Sequence, residues 1–295
     1  MDRSRRVLII GCGYVGEALA RRLSSSGHTV FGLRRSAPDA RADLPYAPLV
    51  GDLTQPGFWS QLSGPFDWVV NCVSSSRGGP AEYRQVYLEG NRHLLIWLRR
   101  HPVDAFAYTS STSVYGQTDG SWVDETAPTQ PGTETGQCLV ETEQLLLSAA
   151  REQEVPARIL RVAGIYGPGR GHLFHQFLNG EARLQDQGQR FLNMIHRDDV
   201  ASALEAALER GRSGEVYNAS DLEPVTQRDF LQWLADQTGR PLPPPAEPGT
   251  GPVRKRGVTH KRVSVAKLRQ ETHWSPRFPT FREGYAEALA ALRSS

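Results

Sequence analysis

The chain has 295 residues, enough for one large α/β domain or for such a domain with a smaller appendage. A hydrophobic fraction of 39%, a charged fraction of 22% and a net charge of +2 are typical of an ordinary soluble protein, and they give no reason to expect nucleic acid or an anionic membrane as partner. No 18-residue apolar run occurs and the first apolar run is too short for the core of a signal peptide, so we expect neither a transmembrane helix nor a signal peptide. The three cysteines lack metal-binding spacing, and we expect a cytoplasmic protein without a metal site.

The first predicted elements are a strand, a glycine turn, a helix and a second strand. The apolar run Val7–Ile10 precedes a G-x-G-x-x-G motif, and helical spacing follows up to Gly27. In this context the motif is typical of a dinucleotide-binding turn, where the helix N-terminus attracts phosphates. The alternative is a turn that only connects a strand to a helix. We expect a cofactor to contact Gly11, Cys12, Gly13, Tyr14, Val15 and Gly16.

The residues after the second and third strands bear on which cofactor binds. An acidic residue at the end of the second strand suits the ribose hydroxyl of NAD, whereas arginine suits the 2′-phosphate of NADP. Arg34 and Arg35 stand there, so the sequence favours NADP, with NAD the less favoured cofactor. The alternative is a pair of solvated surface arginines. Asp52, followed by Leu53, is placed either to accept from the adenine amino group or to cap the next helix.

Strands and helices continue to alternate up to residue 163, which predicts a doubly wound parallel sheet of Rossmann type. Such sheets bind ligands at the carboxyl ends of their strands. The expected strands are 67–73, 104–109 and 157–162, and the expected helices are 80–100 and 134–152. The residues expected to contact the cofactor at the strand ends are Cys72, Val73, Ser74, Thr109 and Ala163, and Ser75 is expected to contact substrate.

The pattern loosens after residue 163. We expect a short helix at 173–178, a strand at 191–196, a helix begun by Asp198-Asp199, a strand at 215–219 and a helix behind Thr226. A proline-rich loop at 240–252 and helices at 265–269 and 281–292 complete the chain. The predicted domains are a Rossmann unit of residues 1–163 with 189–218, and a smaller mixed unit of 164–188 with 219–295 that binds substrate. Arg262 and the basic run at 254–256 are available for a substrate phosphate, or are solvated surface charge. Arg170 is also expected to contact substrate.

Together these motifs resemble the extended short-chain dehydrogenases/reductases, the NAD(P)-dependent epimerase/dehydratase group. The resemblance implies sugar-nucleotide-like or other hydroxyl/carbonyl substrates and a homodimer formed through helices 80–100 and 134–152. The G-x-G-x-x-G spacing is similar to that of an atypical branch. The segments that carry the resemblance are 11–16, 51–53, 89–92, 110–116, 161–169, 195–200, 215–218, 261–268 and 282–284.

The chain departs from this family where a catalytic Tyr-x-x-x-Lys is expected. Thr135 stands in the tyrosine position and Leu139 in the lysine position, and neither can exchange a proton near neutral pH. Thr112 matches the family's substrate-binding Ser/Thr. Tyr115 is the nearest remaining phenol, either a substitute acid/base or a packing residue, and His196 is more consistent with a structural role. Two functions stay open: an oxidoreductase or epimerase with non-standard acid/base residues, and an inactive NADP(H)-binding sensor or scaffold.

Overall fold

The computed structural model describes residues 3–39, 43–75, 78–247 and 259–293. Strands and helices alternate through the first half. In chain order they are β1 (Arg6–Ile10), α1 (Tyr14–Ser25), β2 (Thr29–Arg34), β3 (Ala47–Val50), α2 (Pro56–Gln61), β4 (Trp68–Asn71), α3 (Pro80–Tyr83), α4 (Gly90–Arg100), β5 (Ala105–Ser111), β6 (Trp122–Val123), α5 (Glu134–Arg151) and β7 (Ala157–Val162).

The second half contains shorter strands between helices. They are β8 (Gly164–Tyr166), α6 (His172–Leu178), β9 (Phe191–Leu192), β10 (Met194–His196), α7 (Arg197–Arg210), β11 (Val216–Ala219), β12 (Val225–Thr226), α8 (Gln227–Thr238), β13 (Arg262–Val263), α9 (Ala266–Thr272) and α10 (Phe281–Arg293).

A seven-stranded sheet, in the order β3-β2-β1-β4-β5-β7-β11, forms the centre of the molecule. Every neighbouring pair in it is parallel. Successive side chains of a strand point to opposite faces, so Val7 and Ile9 pack with α1 and α7 on one face. Leu8 and Ile10 pack with α4 and α5 on the other face. The predicted Rossmann-type doubly wound sheet is thereby confirmed, and its apolar β1 is explained by burial on both faces.

A smaller lobe covers one end of this sheet. Short strands pair β8 with β10 and β9 with β12, and helices α6, α8 and α10 pack beside them. Its core is aromatic: the Tyr285 ring lies 4.6 Å, centroid to centroid, from both Tyr166 and Phe174. Such stacked rings bury much apolar area, which allows a lobe with little sheet structure to hold its shape. In the described parts of the chain, no helix is both long and apolar enough to span a membrane.

Three local features differ from the sequence expectation. The helix expected at 80–100 contains a π-helical segment, Arg84–Glu89, between α3 and α4. The strand expected at 191–196 is interrupted at Asn193, whose side-chain oxygen accepts from the Val263 N–H. Two-residue strands such as β6 were not expected, because so short a run carries no detectable periodicity.

The start of α7 also differs from the expectation. His196 caps this helix, because its Nδ1 accepts from the Asp198 N–H at 3.2 Å. Asp199 instead accepts from the backbone N–H groups of Arg277 and Phe278, at 2.6 and 3.0 Å. The carboxylate pair therefore does not act as the cap; Asp199 ties the C-terminal segment to the helix.

Candidate functional site

A cleft of about 1070 Å³ lies at the carboxyl ends of β1, β2, β4, β5 and β7. Most of the residues expected to bind a cofactor line it, although they come from distant parts of the sequence. The structure brings together Gly11, Cys12, Gly13, Tyr14, Val15, Arg34, Arg35, Asp52, Leu53, Cys72, Val73, Ser74, Thr109 and Ala163, and also Arg170.

The glycine turn forms the floor of the cleft. Gly11 has a φ of +82°, and a Cβ there would lie 2.7 Å from the backbone N and Cα of Val73, so no other residue fits. Helix α1 begins at Tyr14 without a side-chain cap, which leaves its first N–H groups available to a ligand. Gly16 lies behind the turn, where a Cβ would meet the Gly11 carbonyl at 2.7 Å. Gly16 therefore allows α1 to pack closely against the turn, and it does not line the cleft.

Charged residues gather at the end of the cleft next to β2 and β3. Arg34 and Arg35 both line it, and Arg34 forms an ion pair with Glu17 of α1 at 2.7 Å. Asp52 accepts from the backbone N–H and the hydroxyl of Thr54, at 2.9 and 2.8 Å. Asp52 thus closes a turn before α2, and the N-cap of α2 is Gln55. The lining at this end of the cleft carries two cations and one carboxylate, and Glu17, outside the lining, pairs with one of the cations.

The two cysteines of the cleft are neutral thiols. Burial raises the pKa of Cys12 to about 12 and also raises the pKa of Cys72. The Sγ of Cys72 lies 3.4 Å from the Gly11 carbonyl oxygen. Both side chains therefore act as small apolar groups that fill space against the glycine turn.

The end of β5 supplies hydroxyl groups that sequence reasoning missed. Ser110 and Ser111 line the cleft together with Thr109. Thr112 is buried and outside the lining, in the short turn that follows the strand. β5 ends at Ser111, two residues beyond the predicted end at Thr109. Only a correct position for this strand end would have pointed to Ser111, and sequence patterns locate such boundaries poorly.

A second wall comes from α5 and from the π-helical segment. Leu139 lines the cleft, whereas Thr135 is buried with its hydroxyl 3.2 Å from that of Thr133. The hydroxyl of Tyr87 accepts from the Ser75 N–H at 3.1 Å, and Ser75 itself lies outside the lining. No sequence pattern pointed to the wall residues Glu82, Gln85, Val86 and Tyr87.

Tyr115 belongs to a buried polar network and not to the cleft. Its hydroxyl accepts from Arg161 Nη1 at 2.8 Å and donates to Asn218 Oδ1 at 2.9 Å. Arg161 forms an ion pair with Glu143 at 2.7 Å, and Glu143 accepts from the Ser110 hydroxyl at 2.5 Å. Burial raises the pKa of Tyr115. The geometry favours the packing interpretation of Tyr115.

The arginines expected to contact substrate lie in different parts of the structure. Arg170 lines the cleft. The Arg262 guanidinium lies outside it, 5.3 and 5.1 Å from the ring centroids of Trp122 and Phe191. The basic run at 254–256 lies outside the described residues. Within the described ranges, no group of three or more His, Cys, Asp or Glu side chains is arranged to hold a metal ion.

A parallel sheet with a glycine turn, an uncapped helix and a cleft at its strand ends defines a dinucleotide-binding protein of the Rossmann class. The family model described as the NAD dependent epimerase/dehydratase family matches residues 7–220. The chain belongs to this family, as the sequence motifs led us to expect.

Individual relatives agree with this assignment. A putative NAD-dependent epimerase/dehydratase structure from Methylobacillus flagellatus is 33% identical, with a TM-score of 0.79, covering 99% of this chain and 100% of that one. Protein YeeZ of Escherichia coli K12 is 29% identical across 82% of this chain and 86% of its own. UDP-glucose 4-epimerase of Corynebacterium glutamicum is 26% identical across 95% and 93% of the two chains.

Proposed function

We propose that the protein binds NADP(H) in the cleft and acts as an oxidoreductase or epimerase on a hydroxyl or carbonyl substrate of sugar-nucleotide type, using non-standard acid/base residues. The observation that carries this proposal is the continuity of the cleft from Arg34 and Arg35, at the end of β2, to the two serines that end β5. At about 1070 Å³ it reaches the upper end of the roughly 300–1,000 Å³ usual for small-molecule sites.

The preference for NADP rests on Arg34 and Arg35. A guanidinium binds phosphate in a two-pronged manner, and an acidic residue that would repel a 2′-phosphate is absent from the end of β2. Arg34 lines the cleft while it is paired with Glu17, and we assign phosphate recognition to Arg34 and Arg35 together. The bound cofactor would supply or accept the hydride, and the residues of this chain hold it and orient the substrate.

The substrate class is supported by Ser111 and by the relatives. Ser111 lines the cleft at the end of a central strand, and its hydroxyl accepts from the Ser113 N–H at 3.2 Å. We assign to this hydroxyl a hydrogen bond to a substrate hydroxyl or carbonyl. The Corynebacterium relative is named a UDP-glucose 4-epimerase. Thr112 and Tyr115 are not given catalytic roles in this proposal, because neither side chain lines the cleft.

The second candidate function is an NADP(H)-binding sensor or scaffold without catalysis. It is favoured by Leu139, which presents an apolar side chain to the cleft where the family resemblance places a lysine. A cleft that holds the cofactor but lacks a proton donor would bind without turnover. The homodimer implied by the resemblance is compatible with either function, and Ile96 on α4 is a large apolar side chain exposed by 50%.

A turnover screen tests the two functions against each other. Purified protein is incubated with NADPH or NADH and a panel of carbonyl substrates, and with NADP⁺ or NAD⁺ and a panel of hydroxyl substrates that includes sugar nucleotides. The enzyme proposal expects turnover that falls roughly 100-fold in Ser111→Ala, because a hydrogen bond to the reacting oxygen is lost. Thr112→Ala is the matched control, since it removes a neighbouring hydroxyl from outside the cleft.

The outcomes separate clearly. Cofactor binding without turnover on any substrate favours the sensor. Turnover that is indifferent to Ser111→Ala contradicts the proposed site. Absence of cofactor binding contradicts both functions.

A further inference from the structure

The loop after β8 is fixed directly over the first residue of α1. Gly167 and Arg170 close it by two backbone hydrogen bonds, of 3.0 and 2.9 Å. The Tyr14 hydroxyl donates to the Pro168 carbonyl oxygen at 3.1 Å. Gly167 has a φ of +140°, and a Cβ on it would lie 2.9 Å from that hydroxyl. The loop therefore has a set position relative to the glycine turn.

This arrangement places a guanidinium beside the helix N-terminus. The Arg170 guanidinium carbon lies 5.2 Å from the centroid of the Tyr14 ring, and Tyr14 is the first residue of α1. Arg170 is exposed and lines the cleft. A cation–π contact with the ring holds the charge in place without neutralising it.

Arg170 has no ion-pair partner in the part of the chain that the structure describes. Among the described residues, no carboxylate lies within salt-bridge distance of it. Arg197 provides a comparison, because it lies 5.1 Å from the same ring but is paired with Asp198 at 2.9 Å. Of the two guanidiniums on Tyr14, the one that lines the cleft is the one without an anionic partner among the described side chains.

We propose that Arg170 binds the pyrophosphate of the dinucleotide over the glycine turn, and not a phosphate of the substrate. The helix N-terminus and the guanidinium attract the same anion from two sides, and two charge-assisted contacts suit a pyrophosphate with two anionic phosphoryl groups. The inference rests on the proposed function, and it makes Tyr14 a support for the arginine rather than only a member of the glycine motif.

The test compares a dinucleotide with a fragment that lacks the pyrophosphate. Dissociation constants are measured by calorimetry for the dinucleotide that the wild type binds more tightly, and for its adenosine half: adenosine 2′-phosphate for NADPH, or adenosine for NADH. The variants are Arg170→Gln, Arg170→Lys and Arg21→Gln. Arg21 is exposed on α1 and controls for the loss of one positive charge.

Arg170→Gln is expected to raise the dissociation constant of the dinucleotide roughly tenfold or more and that of the fragment less than twofold. Arg170→Lys should fall between Gln and wild type, because it keeps a point charge without the fork. Arg21→Gln should change neither constant. An unchanged dinucleotide affinity in Arg170→Gln would overturn the proposal, and so would an equal loss for both ligands. A wild type that binds neither NADPH nor NADH would instead refute the proposed function.

Discussion

Replacing Tyr115 by Phe separates a structural role from a catalytic one. The hydroxyl accepts from Arg161 and donates to Asn218, and all three side chains are buried. Its loss leaves one guanidinium N–H and one amide oxygen without their partner in the interior. Each unsatisfied buried group costs about 1–3 kcal/mol, so we expect Tyr115→Phe to destabilise the protein by about 2–6 kcal/mol.

The assay is equilibrium unfolding in urea at neutral pH, where an unchanged slope shows that only stability has changed. Tyr14→Phe is the control, because the Tyr14 hydroxyl donates to the Pro168 carbonyl at the surface. Water can bond to that carbonyl in the variant, so the loss of the hydroxyl should cost less than about 1 kcal/mol of stability. Folded Tyr115→Phe should bind NADPH as the wild type does. A variant of wild-type stability that has lost cofactor binding or turnover would refute this account of Tyr115.

Three further outcomes follow from the structure. Gly11→Ala should destabilise the fold, because its Cβ would lie 2.7 Å from the Val73 backbone. A Cβ on Gly13 would meet nothing within 4 Å, so Gly13→Ala should keep wild-type stability and lose NADPH affinity. Urea unfolding measures the stability of both variants, and calorimetry measures their NADPH affinity. Burial lowers the pKa of Lys261 from 10.5 to about 8. The unfolded chain therefore binds more protons between pH 8 and 10.5, and wild-type stability should rise relative to that of Lys261→Met by about 2 kcal/mol between pH 7 and 10 in urea unfolding. Arg35→Ala should weaken NADPH roughly tenfold and NADH less than threefold in calorimetry, and equal effects on the two would argue against phosphate recognition by Arg35.

The sheet and the glycine turn were predictable because their signals are local. Val7–Ile10 is apolar at every position. The three glycines that follow within six residues allow a tight turn, a close approach of the backbone to a ligand, and close packing of the helix on the strand. Strand ends after β2, β4 and β7 then indicated where a ligand binds, by the general rule for parallel sheets.

The wall of the cleft was less accessible to sequence reasoning. Ser111 and Thr112 are adjacent hydroxyl residues, and only the position at which β5 ends decides which of them lines the cleft. The contact of Glu143 with Arg161 joins a helix to a strand, 18 residues apart. The sequence around Glu143 and Arg161 does not indicate that either charge is buried. Because Tyr115 bonds to Arg161, its structural role could not be predicted from the residues next to it in the sequence.

The loop at Arg170 shows a different difficulty. The sequence showed an arginine in a glycine-rich segment, which is compatible with either a substrate phosphate or solvent. Its partner Tyr14 lies more than 150 residues earlier, and their meeting depends on β8 pairing with β10 beside α1 and α7. The proposal that Arg170 binds the pyrophosphate therefore depends on tertiary contacts that no local sequence pattern encodes.

Calorimetry of the wild-type protein with NADPH and with NADH tests most directly the proposal that this cleft holds NADP(H). Our account predicts that both dinucleotides bind at one site per chain and that NADPH binds at least about tenfold more tightly, through the arginines at the end of β2. Tighter binding of NADH would contradict the assigned cofactor, and failure of both to bind would contradict the site.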